Sequence, residues 1–319
     1  MTSLLLWKEH LKQFYSRYSF AVQAITRFVF VLTAVMSLNA NIGYMVKLKS
    51  PLVILPVCLV SAFLPYGVSV LLIGCLMIAH VSAVSLEMSL IAASLILIVA
   101  VLYFGFRPGD SYLMVLTPLA FLFRIPYAVP LLVGLGGSLA SAVPVSCGVF
   151  LYYLLNYVKQ NAAGLTAKDS SVDIVQKYTQ ILKSVLFNQT MLVMIATCAL
   201  TIVVVYLIRR LSVDYAWLIA IVAGAVAEIL TIFVGDFQFG VSVPMGEMIL
   251  GLLLSGAVAA VFHFFVLSVD YTRTEHVQFE DDDYYYYVKA VPKMTVSTPD
   301  IKVQKISSTR KRVPREKNL

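Results

Sequence analysis

Between Leu52 and Phe106 the only formally charged side chain is Glu87. A stretch this poor in charge folds by burying itself in lipid, where every backbone N–H and C=O must find an internal partner, and helices are the simplest way to provide one. The stretch is too long for two spans of about 20 residues and too interrupted for long ones. It reads as two short helices, Leu52 to Phe63 and Tyr66 to His80, followed by a full span from Ser89 to Phe106.

The interruption is Leu64-Pro65-Tyr66-Gly67-Val68, and it returns sixty-one positions later as Ile125-Pro126-Tyr127-Ala128-Val129. In the same register Leu52, Leu55, Leu71, Ala79, Val84 and Ser85 match Leu113, Leu116, Leu132, Ala140, Val145 and Ser146. Against a background of Leu, Val and Ala, the weight rests on the Pro-Tyr pair and the shared register. The second set begins after the turn Pro108-Gly109-Asp110-Ser111, where Asp110 is placed to cap the next helix. Short helices follow from Tyr112 to Phe123 and from Tyr127 to Ala142, then a run from Val145 to Val158. Half-helices of about 12 to 16 residues reach across only a thinned bilayer, so they are re-entrant hairpins or tilted short spans.

Composition agrees: 60% of residues are apolar, 13% are charged and the mean hydropathy is +0.87. The net charge of +7 concerns topology and anionic headgroups, and does not imply nucleic acid. Cys58, Cys75, Cys147 and Cys198 sit singly in apolar segments, suggesting neither disulfides nor a metal. No nucleophile elbow, phosphate loop or His-Glu metal motif appears, so neither an enzyme nor a resident cofactor is expected.

Along the chain, Trp7, Leu11, Phe14, Tyr18, Val22 and Ile25 recur at three and four, which predicts an amphipathic surface helix rather than a signal peptide. A span follows from about Phe28 to Val46, with Asn39 and Asn41 at its outer interface. The polar loop 159–188 carries a second amphipathic face through Ile174, Tyr178, Ile181 and Val185. Three plainer spans follow, near Thr190 to Ile208, Ala216 to Val234 and Met245 to Ser268. Arg209-Arg210 and the basic C-terminal tail both ask for the cytoplasmic side. With the N-terminus inside, that requires an odd number of crossings per repeat, which places Lys168 outside and turns the second repeat upside down.

Glu228 stands out, since a carboxyl deep in an apolar span is costly and faces protein or water rather than lipid. It ends the row Ala216, Ala220, Gly224, Glu228, while the last span carries the row Glu247, Gly251, Ser255, Ala259, His263. Small rows allow close helix approach, so the two are expected to face one another, bringing Glu228 to Gly251 and Ser255. Two readings stand side by side: a proton or cation site, and a buried structural acid bonded to Ser255 or a backbone carbonyl. His80, His263, Glu87 and Glu247 lie near helix ends and read as interfacial. Arg124, just before the second Pro-Tyr break, reads first as an interfacial anchor and second as an anion site at membrane depth. Gly134, Gly136, Gly137 and Ser138, closed by Pro144, form the most permissive helix in the chain, suited to close packing or to a transport site.

Beyond Val269, Thr274 to Phe279 and Tyr284 to Val291 are strand-like around the acids Glu280 to Asp283, a solvated turn rather than a metal site. Two strands alone are marginal in water, so this hairpin is expected to pack on a partner protein or a second copy. Residues 293–319 form a basic flexible tail suited to anionic lipid.

The expected fold is an all-α polytopic integral membrane protein with about eight to ten hydrophobic helices, two inverted Pro-Tyr hairpin repeats and a small β-hairpin in the tail. Its divisions are a surface helix 1–27, a transmembrane domain 28–268, a strand-rich tail 269–292 and the basic tail 293–319. The transmembrane domain comprises repeat units 51–106 and 111–158, the loop 159–188 and a three-helix unit 189–268. The expected function is a permease for a small solute or ion in the cell membrane, both termini cytoplasmic. The alternative is a non-transporting scaffold that recruits a partner through its tail. Pathway candidates are Glu228, Ser255, Gly251, Pro65, Tyr66, Pro126, Tyr127, Arg124, Gly136 and Gly137.

Overall fold

The computed structural model describes residues 2–166, 174–241, 244–267, 275–280 and 283–290. The expectations for Lys168, for Asp281 and Asp282 in the acidic turn, and for the basic tail lie outside these residues. About 85% of the structure is helical. Among the described residues, six helical stretches are long and apolar enough to cross a membrane: Ser19–Ile42, Leu86–Phe106, Leu139–Ala163, Tyr178–Arg209, Ala216–Phe239 and Met245–Leu267. The chain is a multi-pass membrane protein.

Two compact units are distinguished, Gln13–Ser268 and a smaller one of Met1–Lys12 with Val269–Leu319. In the smaller unit, β1 (Glu275–Glu280) pairs antiparallel with β2 (Tyr285–Ala290), Glu280 opposite Tyr285. Helix α1 (Thr2–Arg17) stops at Tyr18, so the surface helix does not run to residue 27. Val22 and Ile25 instead belong to the first turns of α2 (Ser19–Ile42). On α1, Trp7 and Phe14 are more than half exposed.

After α2 the chain forms α3 (Pro51–Phe63), α4 (Tyr66–Ser82) and α5 (Leu86–Phe106). It continues through α6 (Leu113–Leu122), α7 (Ala128–Gly136) and α8 (Ala142–Thr166). The remaining helices are α9 (Ile174–Leu186), α10 (Gln189–Arg209), α11 (Ala216–Phe239) and α12 (Met245–Phe262), the last continuing as π-helix over His263–Leu267. The helix expected from Tyr127 to Ala142 therefore stops at Gly136. Gly137 adopts an extended conformation (φ −97°, ψ −156°), and the next helix starts at Ala142 rather than Val145.

Contacts between helix ends show that direction alternates. At one end, Arg27 Nη1 donates to Leu64 O at 3.2 Å, and Tyr66 packs against Phe30 and Tyr112. The starts of α2, α4 and α6 thus meet the end of α3. At the other end, Lys159 Nζ donates to Asn41 Oδ1 at 2.8 Å, and Arg124 approaches Glu247 at 3.5 Å. Ends of α2 and α8 meet there, as do the end of α6 and the start of α12. The start of α2 and the end of α12 fall at the same end of the bundle. Helix α9 lies along α5 and α8, with Ile181 and Val185 buried beside Met88, Leu154 and Val158.

The two Pro-Tyr breaks are not built alike. After α3, Leu64 and Pro65 are both extended and the helix restarts at Tyr66. After α6, Arg124 takes a left-handed conformation (φ 61°), with its N–H on Phe121 O at 3.1 Å and the Ile125 N–H on Ala120 O at 2.9 Å. This pair of bonds is a Schellman closure with arginine where glycine is usual. The helices around the second break have only 10 and 9 residues, against 13 and 17 around the first.

Candidate functional site around helix α7

Helix α7 is buried on every side: Ala128, Val129, Pro130, Leu131, Val133, Gly134 and Leu135 are all core residues. An all-round apolar helix belongs in the centre of a bundle, and α6, α8, α10, α11 and α12 pack around this one. At about 1.5 Å per residue its nine residues rise only about 14 Å, less than half of a hydrocarbon core roughly 30 Å thick.

The two small-residue rows pack on α7 and α10, and not chiefly on each other. A Cβ added at Gly224 would meet Val205 at 2.5 Å and Leu131 at 2.6 Å, while one at Gly251 would meet the Tyr127 ring at 3.1 Å. Helices α11 and α12 do touch, but the glycines of the two rows are taken up by α7, which the sequence assigns to a separate unit, and by α10. Gly134 makes the third close approach, with a Cβ there coming 2.6 Å from Val205. At that position close packing is the observed role.

Glu228 is fully buried, and among the described residues neither of its oxygens has a hydrogen-bond partner. The bond expected to Ser255 is not made, and Ser255 Oγ is itself buried without a partner. Thr201 Oγ1 on α10 shares that condition, although Thr117, Thr197 and Thr231 each donate to a carbonyl four residues back. Thr201 lies beside Gly224, its Cγ2 3.6 Å from where a Cβ would stand. Tyr127 is within electrostatic reach of Glu228, Cys198 and Glu247.

The other end of α7 is polar. Arg209 at the end of α10 donates through Nη1 to Leu135 O and through Nη2 to Gly137 O at 2.6 Å, satisfying carbonyls that the glycine break frees. Ser138 and Ser141 form a capping box across the next turn. Asp110 does not cap α6 as expected. Its Oδ2 instead accepts from Ser141 Oγ at 2.5 Å and pairs with Arg107 Nε at 3.1 Å, tying the α5–α6 turn to the start of α8. A cavity of about 410 Å³ opens here, with Arg107, Asp110, Ser138 and the Gly136–Gly137 backbone on its polar side and Val133 and Phe262 on its apolar side.

Of the pathway candidates, Glu228, Ser255, Gly251, Pro126, Tyr127, Arg124, Gly136 and Gly137 all lie on or around α7. Pro65 and Tyr66 do not, since they start α4 beside Arg27. Arg124 is 80% exposed and paired with Glu247. His80, near the end of α4, is 1% exposed, and its Nδ1 accepts the Met45 N–H at 3.3 Å. Three contributors went unnoticed in the sequence: Thr201, Arg209 and the Asp110–Ser141 bond. Thr197, Thr201, Val205 and Arg209 form a four-residue row, so a polar stripe leading to Arg209 was there to be read. The Asp110–Ser141 contact joins residues thirty-one apart and has no local signal.

Fold and site together define a multi-pass membrane protein with a buried, interrupted helix at its centre. No family model matches the chain, and neither a curated protein nor a solved structure is similar to it.

Proposed function

We propose that this protein is a permease that moves a small polar solute or ion along helix α7. The observation that carries the reading is the interruption at Gly137, where irregular backbone inside the bundle opens onto a polar cavity. Interrupted helices in lipid are tolerated where they meet protein or line water, and in transporters their freed backbone groups form the binding site. The two Pro-Tyr breaks fall at opposite ends of the bundle, which supports an inverted pair of units rocking against each other. In this reading the N-terminus, Arg209-Arg210 and the basic tail are cytoplasmic, the tail lies on anionic headgroups, and a reporter at Lys168 scores outside.

Cysteine substitution from Val133 to Pro144, with the four native cysteines replaced, tests the pathway against a membrane-impermeant thiol reagent. Reactive positions are expected at 136–138 and inward at Val133. Uniform protection removes the permease and leaves a scaffold. The observation that favours a scaffold is the β-hairpin, where Tyr284, Tyr285 and Tyr287 are each more than 60% exposed. Pull-down with that hairpin deleted separates the two readings.

A further inference from the structure

Four of the buried side-chain atoms that lack a hydrogen bond belong to three residues: Thr201 Oγ1, both Glu228 oxygens and Ser255 Oγ. All three residues have 0% exposure. Buried polar atoms are nearly always paired, and orphaned ones ask for a ligand or a role. These three sit on α10, α11 and α12, the long helices that pack against α7 and follow it in the chain. Their depth follows from one contact: Gly224 lies against Leu131, so one further turn along the antiparallel α11 brings Glu228 level with Tyr127, where α7 begins.

No cation opposes this carboxyl among the described residues. The titratable groups around it are Tyr127 at the start of α7 and Cys198 on α10, with Tyr153 of α8 and Glu247 in the first turn of α12 beyond Tyr127. Arg124 is exposed and paired with Glu247. Arg209 is occupied at the opposite end of α7, and His263 lies near that end against Trp217. A single carboxylate in apolar surroundings is balanced by one monovalent cation, whereas a divalent ion would leave a net positive charge behind.

We infer that Glu228 is the loading site for a single proton, with the hydroxyls of Thr201 and Ser255 as its exchange partners. The inference rests on the permease reading and supplies its coupling ion. In the loaded state the carboxyl O–H donates to one of the two hydroxyl oxygens. When the proton leaves for water or solute, the O–H bond breaks heterolytically, both electrons stay on Glu228, and the same hydroxyls turn to donate to the carboxylate. A hydroxyl serves both states because it is donor and acceptor at once. The N-terminus of α7, level with the carboxyl, carries positive partial charge and shelters the unloaded anion.

The test uses the full-length protein in detergent with dicyclohexylcarbodiimide, an apolar reagent that adds to protonated carboxyls, and maps the adduct by peptide mass. Labelling is followed from about pH 5 to about pH 10, with and without sodium chloride. The expected result is an adduct at Glu228 that declines as pH rises, is indifferent to sodium, and is absent in Glu228→Gln. The double variant Thr201→Ala/Ser255→Ala, which withdraws two donors from the anion, should move the midpoint up by about one pH unit, a tenfold gain in proton affinity. An adduct that never forms in folded protein overturns the proposal, as does protection by sodium or an unmoved midpoint in the double variant. The thiol scan fails independently: reactive cysteines without an adduct keep the permease and remove the proton, and an adduct beside a protected stretch does the reverse.

Discussion

Gly224→Ala is the sharpest test of how α7, α10 and α11 fit together. The new methyl would stand 2.5 Å from Val205 Cγ2 and 2.6 Å from Leu131 Cδ2, well inside contact distance. Side-chain tips usually relieve such clashes by rotating. Val205 cannot, because on its other side Cβ and Cγ1 would be 2.6 and 2.7 Å from a Cβ at Gly134, so any rotation drives a methyl into that backbone. The helices must separate instead, which costs about 1–3 kcal/mol for an overpacked core. In mid-sized domains each kcal/mol moves the melting temperature by roughly 2–4 °C, so the purified variant should melt several degrees lower. Val205→Ala alone leaves a cavity and also destabilises, but the pair should be less harmful than the sum, with a coupling of roughly 0.5–3 kcal/mol. A Gly224→Ala protein that melts with the wild type, or a pair that is strictly additive, refutes this packing.

Arg209→Ala removes two charge-assisted hydrogen bonds to the carbonyls of α7 and should lose about 3 kcal/mol or more in thermal or denaturant unfolding, whereas Arg210→Ala, which removes only a stack on Tyr206, should lose less than about 1 kcal/mol. Arg209→Lys should recover only part of the loss, since an ammonium cannot fork between two carbonyls. Arg124→Gly should be neutral or stabilising in the same assay: it relieves a left-handed arginine worth about 1 kcal/mol and gives up only an exposed pair with Glu247 worth about 0–1 kcal/mol. Arg124→Val should destabilise, since a β-branched residue tolerates that conformation poorly. Asp110→Ala should cost about 1–3 kcal/mol by removing the charged acceptor of the Ser141 hydroxyl and the partner of Arg107, while Asp110→Asn keeps an acceptor for that hydroxyl and should cost less.

The periodicity and length of apolar runs made the long helices legible, although α2 begins at Ser19 rather than near Phe28 and α8 runs on to Thr166 rather than ending at Val158. Pro65 and Pro126 made the interruptions legible because proline breaks a helix through its own covalent structure. What the pattern could not convey is which row faces which. Rows Ala216 to Glu228 and Gly251 to Ala259 are adjacent in sequence, and adjacency suggested that they meet. Their real partner, α7, comes from nearly ninety residues earlier, and only tertiary packing brings it in. Asp110 shows the same limit at smaller scale: its position promised a local cap, yet the Ser141 hydroxyl, in the turn before α8, is its partner instead.

The arginines carry a further step. Arg27 and Arg209 both read as topology signals, since basic residues flank spans on the cytoplasmic side. In the structure each also satisfies backbone carbonyls, Arg27 by donating to Leu64 O, just past the end of α3, and Arg209 by donating to Leu135 O and Gly137 O where α7 ends. Both breaks lie at the same end of the bundle, and both free carbonyls carrying the negative end of a helix dipole. A guanidinium, with its fixed fork of donors, answers that need whichever side of the membrane it faces. The break after α6 differs, because the Schellman bonds of Arg124 and Ile125 satisfy its carbonyls from within the chain, and no arginine is drawn in from another helix. Arg27 and Arg209 are thus required by the interrupted helices themselves, and Arg210, which only stacks on Tyr206, is the arginine of that pair free to report topology. Reversing the charge at Arg210 should therefore move a topology reporter without loosening α7, while the same change at Arg209 should loosen α7 first.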